Sequence, residues 1–233
     1  NEAAVSVNGI DVSNVENMGN ISGYGNGLDI STGAQRLVVN NEEGATISST
    51  SATGVNIDTM QGDLINKGNI TAENGVFVSK NSSAVSISNT ATGLIKGKSG
   101  LNAEVGVAIN NAGTIKGTEV DGITLSDGNI KLTNTGTVEG LQHGINVTNT
   151  AKVDIINSGS IGGGNTAISF ASNKNNTLVL NTGSSLNGDV ISTGSTGNSL
   201  TLVGAGIEDS NFVGLNKGDG FASVKMEGES WTL

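Results

Sequence analysis

Asn134-Thr135-Gly136-Thr137-Val138-Glu139-Gly140, then Gly144-Ile145-Asn146-Val147, then Lys152-Val153-Asp154-Ile155-Ile156-Asn157 make up one period of a repeat that fills most of this chain. The same asparagine recurs as Asn17, Asn41, Asn66, Asn89, Asn111, Asn134, Asn157 and Asn181, in steps of 24, 25, 23, 22, 23, 23 and 24 residues. Six of these eight are followed by x-Gly. Four to six residues after each comes an aliphatic position: Ile21, Ile47, Ile70, Ile95, Ile115, Val138, Ile161 and Leu186. After a turn, Gly precedes an apolar-x-apolar triplet, as in Leu28-Asp29-Ile30, Val55-Asn56-Ile57, Val76-Phe77-Val78, Leu101-Asn102-Ala103, Ile123-Thr124-Leu125 and Ile145-Asn146-Val147. A third apolar pair stands before the next asparagine, as in Val85-Ser-Ile87, Val107-Ala-Ile109, Ile130-Lys-Leu132 and Val153-Asp-Ile155.

Each unit thus carries three short segments that alternate at period two, so each turns one face inward. No unit this short buries three apolar faces alone; stacked units do. The absence of helical periodicity between the segments excludes a βαβ arrangement. The expected fold is all-β, a right-handed parallel β-helix (a solenoid) of about nine coils, each of roughly 23 residues with three strands. The asparagines are expected to stack at one corner as a structural ladder, their amides bonding from coil to coil.

Composition agrees. Of 233 residues 36 are Gly, none is Pro or Cys, and only 3% are aromatic. A narrow core of Val, Ile and Leu needs few rings, and rings are expected to force the sheets apart. Proline would remove a donor from strands that all have neighbours. Glycine after the turns is expected to supply positive φ. The formal charge of -10 argues against nucleic acid and anionic membranes, which need clustered cations. With no Cys there is no disulfide to report on the redox compartment.

Two regions are expected, repeats over 1–203 and a C-terminal cap over 204–233. Gly9-Ile10-Asp11-Val12 reads as the end of an earlier coil, so the chain is expected to be a fragment of something longer. At the other end Val203-Gly-Ala-Gly206 replaces Asn-x-Gly, and Phe212, Phe221 and Trp231 gather where a solenoid must hide its open edge.

Repeated Asn-x-Gly-x-Ile-x-Gly units, followed by Leu200-Thr-Leu202-Val-Gly-Ala-Gly206 and a closing Trp231-Thr-Leu233, resemble the passenger domain of Gram-negative autotransporter adhesins, best the pertactin-like and AIDA-like group. The closing segment resembles the start of the autochaperone region. The resemblance implies a virulence-associated protein exported to the cell surface, attached to the outer membrane through a C-terminal translocator β-barrel. It implies adhesion, autoaggregation or biofilm formation, with partners that are the same protein on neighbouring cells or a host surface protein or glycan. No cofactor and no nucleic-acid partner is expected.

The alternative is a polysaccharide-active β-helix enzyme, a lyase or glycoside hydrolase. Such enzymes need clustered carboxylates, and lyases add Arg or Lys. Arg36 is the sole arginine and has no acidic column beside it. Glu42-Glu43 and Glu119 with Asp121 are expected to be solvated turn charges, and Glu208-Asp209 is the remaining acidic pair. A serine-protease constellation needs a histidine shuttle. His143, the only histidine, aligns with Asn26, Asn74, Ser99 and Asp121, small or polar turn formers, and is expected to be a turn residue, a type that tolerates the left-handed region. No Gly-x-Ser-x-Gly elbow and no metal-ligand cluster occurs. The reading is non-enzymatic, with no catalytic and no metal residues.

A binding surface is expected on the exposed middle residue of each triplet: Asp11, Asp29, Asn56, Phe77, Asn102, Thr124, Asn146 and Ser169. All but Phe77 are short and accept hydrogen bonds. Stacked at one strand spacing, they make a flat polar ladder. AIDA-like adhesins associate through such ladders, which the resemblance implies here.

Overall fold

The structure, a computed structural model, describes residues 2–8, 14–32, 36–213, 215 and 220–233. Over these residues the chain is strands and turns, wound as a parallel β-solenoid of about nine turns with a spacing of about 23 residues. The proposed coil end Gly9-Ile10-Asp11-Val12 lies outside the described residues.

Three faces close the prism. The asparagine face stacks the strands Asn14–Asn17, Leu37–Asn41, Gln61–Asn66, Ala84–Asn89, Val107–Asn111, Asn129–Asn134, Lys152–Asn157, Thr177–Asn181, Asn198–Ile207 and Phe221–Thr232. A second face carries the short strands after each Asn-x-Gly, with Ile21, Ile47, Ile70, Ile95, Ile115, Val138, Ile161 and Leu186 opposite one another in unbroken register. The triplet face carries the apolar-x-apolar segments. The long strand Ser160–Phe170 runs from the second face into the triplet face.

Alternation dictates the core. Leu64, Ile70, Val76, Ile87, Ile95 and Leu101 are all completely buried, one aliphatic layer lying on the next. At roughly 25 cal/mol per Å2 of apolar area, such stacking is the main favourable contribution. Ring-bearing side chains are not excluded from it, contrary to the expectation from composition. Phe170 is fully buried and meets Phe221 edge-on at 6.2 Å between ring centres. The small Ser192 follows Phe170 in the column and leaves it space.

The corner ladder forms. Asn17, Asn41, Asn66, Asn89, Asn111 and Asn134 each donate from Nδ2 to Oδ1 of the next asparagine at 2.8 Å, ending on Asn157. The amides therefore all point the same way along the rod. A second donation reaches a backbone carbonyl one strand further on, such as Thr137 from Asn111 at 3.0 Å. Asn181 is not part of it. Asn157 stands opposite Leu180, and Asn181 opposite Val203. Leu180 holds the inward position and is fully buried, because one residue of slip turns a side chain to the other face. Asn157 ends the column by donating to the Gly159 carbonyl at 3.0 Å. A second, shorter amide pair closes the last coils, with Asn176 and Asn198 buried, 3.1 Å apart and tied to Ser172 and Ser192.

The glycines of the repeat are there for a different reason than the sequence suggests. Positive φ occurs at Gly44, Gly128, Gly183, Gly188, Gly204, Gly220 and Gly228, which are outside the Gly-triplet positions. Gly75 and Gly100 precede triplets with ordinary φ; a Cβ on either would run into the carbonyl of the matching glycine in the next coil. The requirement is close approach of backbones, not backbone freedom.

Candidate functional site

The triplet face brings its outward residues into one column. Register places Asp29 against Asn56, Asn56 against Phe77, Phe77 against Asn102, Asn102 against Thr124, Thr124 against Asn146 and Asn146 against Ser169. Asp11 lies outside the described residues; the position before Asp29 is Ser6. Past Ser169 the column becomes apolar, with Ile191 and Val213.

The polar members differ in what they already hold. Asp29 Oδ1 accepts from Asn56 Nδ2 at 2.6 Å and from Asn26 Nδ2 at 3.0 Å. Thr124 Oγ1 and Asn146 Nδ2 both donate to Asp121 Oδ2 at 2.9 Å. Phe77, Asn102 and Ser169 between and beyond these clusters have no side-chain hydrogen bond among the described residues, and all three are half-exposed. The column is thus two internally satisfied clusters flanking a free Phe77-Asn102 centre.

Asp121 is the residue that sequence reasoning misjudged. It is 3% exposed and not a solvated turn charge. Its Oδ1 accepts from His143 Nδ1 at 2.7 Å and from the His143 backbone N–H at 3.2 Å. With Thr124 and Asn146 on Oδ2, all four lone-pair sites of the carboxylate are used. His143 is correspondingly the first residue of the strand His143–Val147, opposite Thr166, not a turn residue. The one non-glycine with positive φ among the described residues is Asn149. An Asp–His pair orients an imidazole in nucleophilic enzymes, but among the described residues no serine or threonine hydroxyl is hydrogen-bonded to His143. The signal that was available is the spacing: Asp121 and His143 are 22 residues apart, hence vertical neighbours.

Charge elsewhere is spent across coils. Lys67 holds Glu42 at 2.8 Å, Lys98 holds Glu73 at 3.0 Å, Lys116 holds Glu139 at 2.7 Å and Arg36 holds Asp63 at 2.6 Å. Five surface depressions have volumes from about 300 to 500 Å3, and each is lined by at most one carboxylate. Near the C-terminus Glu208 is buried; Oε2 accepts from the Leu186 N–H at 3.0 Å, and Oε1 has no partner among the described residues. Burial pushes the Glu208 carboxyl above its ordinary value, the Leu186 bond opposes this, and the neighbouring Asp209 charge adds to the rise.

No protein-family model matches this chain, and neither the curated proteins nor the solved structures compared with it give a match.

Proposed function

We propose that this chain is a non-enzymatic interaction rod of the autotransporter-passenger kind, displayed on a bacterial surface and acting in adhesion by pairing with a second copy of itself. The observation that carries the reading is the unbroken column from Asp29 to Ser169 on one face, with Phe77 and Asn102 left free at its middle. Six strand steps span about 29 Å, and a rod fixed by in-register coils presents them without ordering cost at the moment of contact.

Charge selects the orientation. Two parallel columns would set Asp29 against Asp29. An antiparallel pair about a two-fold axis through Asn102 sets Asp29 against Ser169, Asn56 against Asn146 and Phe77 against Thr124. Rods reaching from two facing cells meet in that sense. Each hydrogen bond nets only about 1 kcal/mol, so single contacts are weak and many displayed copies act through avidity. The depressions with at most one carboxylate support a binding role over glycoside hydrolysis, which uses two.

The test is sedimentation of the purified chain beside aggregation of cells displaying it. Phe77→Asp with Asn102→Asp puts four like charges at the centre of the pair and is expected to abolish both associations while leaving the melting curve in place. Unchanged association in that double variant overturns the reading.

A further inference from the structure

The coil between Asn89 and Asn111 is the shortest of the repeat, 22 residues. Its link from the triplet face to the asparagine face is the three residues 104–106, against five, 79–83, in the coil before it and three, 126–128, in the coil after it. A depression of about 500 Å3 lies at that corner, lined by Gly106 and the outward Ala108 and by Asn129, Lys131, Lys152 and Asp154. At Gly106 the backbones of the two coils approach closely, since a Cβ there would come within 2.8 Å of the Asn129 carbonyl. The volume falls in the range of about 300–1,000 Å3 typical of small-molecule sites.

The rim sets two cations side by side in an acidic chain. Acidic residues outnumber basic ones by 21 to 11, and Lys67, Lys98, Lys116 and Arg36 each hold a carboxylate. Lys131 and Lys152, like Lys80, Lys96 and Lys174, hold none among the described residues, and these two are exposed on the same side of adjoining strands. Asn129 stands opposite Lys152, and Asp154 opposite Lys131. The two ammonium groups thus rise diagonally across one strand spacing, with an amide and a carboxylate completing the square.

We propose that this depression binds an acidic sugar, a pyranose bearing one carboxylate. Two ammonium groups converge on the ligand carboxylate in charge-assisted hydrogen bonds. Asp154 and Asn129 then accept from and donate to ring hydroxyls. The outward Ala108 methyl and the Gly106 backbone take the C–H face of the ring. Asp154 selects against bare polyanions, because a second or third negative charge on the ligand would sit beside its carboxylate. The site shares no residue with the column of the triplet face, so it stands whether or not that column pairs.

The test is titration of the whole chain at low salt, followed through backbone amide NMR, with sodium glucuronate, sodium N-acetylneuraminate, glucose and sodium sulfate. Both acidic sugars are tried because the carboxylate has either source, and the tighter binder identifies it. At least one is expected to shift the Gly106, Ala108, Asn129 and Lys131 amides with a midpoint of about 1 mM, while glucose does not. Lys131→Gln with Lys152→Gln, both on exposed side chains, is expected to weaken binding by about tenfold or more with melting unchanged. Absence of shifts at this corner overturns the proposal, as does binding that survives the double variant. Sulfate binding as tightly as the acidic sugars also overturns it, leaving an unselective anion site.

Discussion

At the scale of single residues, the corner amides are the most consequential side chains. Asn111 accepts from Asn89 and donates to Asn134 and to the Thr137 carbonyl, entirely out of water. Asn111→Ala would leave the Asn134 Oδ1 and the Thr137 carbonyl short of a donor, at a cost of about 1–3 kcal/mol. Asn181 occupies the same place in the letter pattern but faces outward, so Asn181→Ala is expected to stay within about 0.5 kcal/mol. Urea unfolding of the two variants separates them; equal destabilisation would contradict the register. Seven of the eight asparagines were legible because a buried amide in a repeating stack must find its partner one coil away. Asn181 was misjudged because counting asparagines ignored parity. In Leu178-Val179-Leu180 the inward phase continues from Ile155 to Leu178 and from Asn157 to Leu180. Asp121 was misjudged for a related reason: a polar residue between strands looks solvated until its partners His143, Thr124 and Asn146, 22, 3 and 25 residues away, are set around it.

At the scale of the coil, the turns and the last winding decide how closely the coils approach and how the stack ends. A Cβ on Gly136 would overlap the Gly113 carbonyl of the coil below, whereas Gly19 has nothing within 4 Å. Gly136→Ala is expected to cost about 1–3 kcal/mol by overpacking, and Gly19→Ala to be neutral or slightly stabilising. Thermal melts compare them directly, and a tolerated Gly136→Ala would mean that the coils are spaced more loosely than described. The glycine positions themselves were plain in the sequence, but their cause was not, because close approach between coils is a tertiary property. The last winding is held differently. Glu208 caps the Leu186 N–H with its side chain, where the preceding coils offer a strand carbonyl. Its raised pKa means that the folded chain binds this proton more tightly than the unfolded one. That contribution is complete below the ordinary glutamate value of 4.5 and is lost as pH rises through the higher folded-state value. Glu208→Gln keeps an acceptor for Leu186 and cannot ionise. The melting temperature of the unsubstituted chain relative to this variant is expected to fall between pH 4.5 and neutrality; a constant difference would show that Glu208 is not buried in its charged form.

At the scale of the whole rod, the sign of the salt effect distinguishes the two surfaces. Two copies approaching side by side each carry a formal charge of -10, so their long-range interaction is repulsive. The contacts of the triplet face are hydrogen bonds and one ring, with Asp29 the sole formal charge among them, so they gain little from low ionic strength. Screening shortens from about 30 Å at 0.01 M salt to about 10 Å at 0.1 M. Pairing of rods is therefore expected to strengthen as salt rises over that range. The corner with Lys131 and Lys152 works the other way, since its ligand is drawn by two unpaired cations whose attraction salt weakens. Sedimentation and acidic-sugar titration on the same preparation at both salt concentrations are expected to move in opposite directions. If both weaken together, cations are holding the rods to each other, and the polar column of the triplet face is not what joins them.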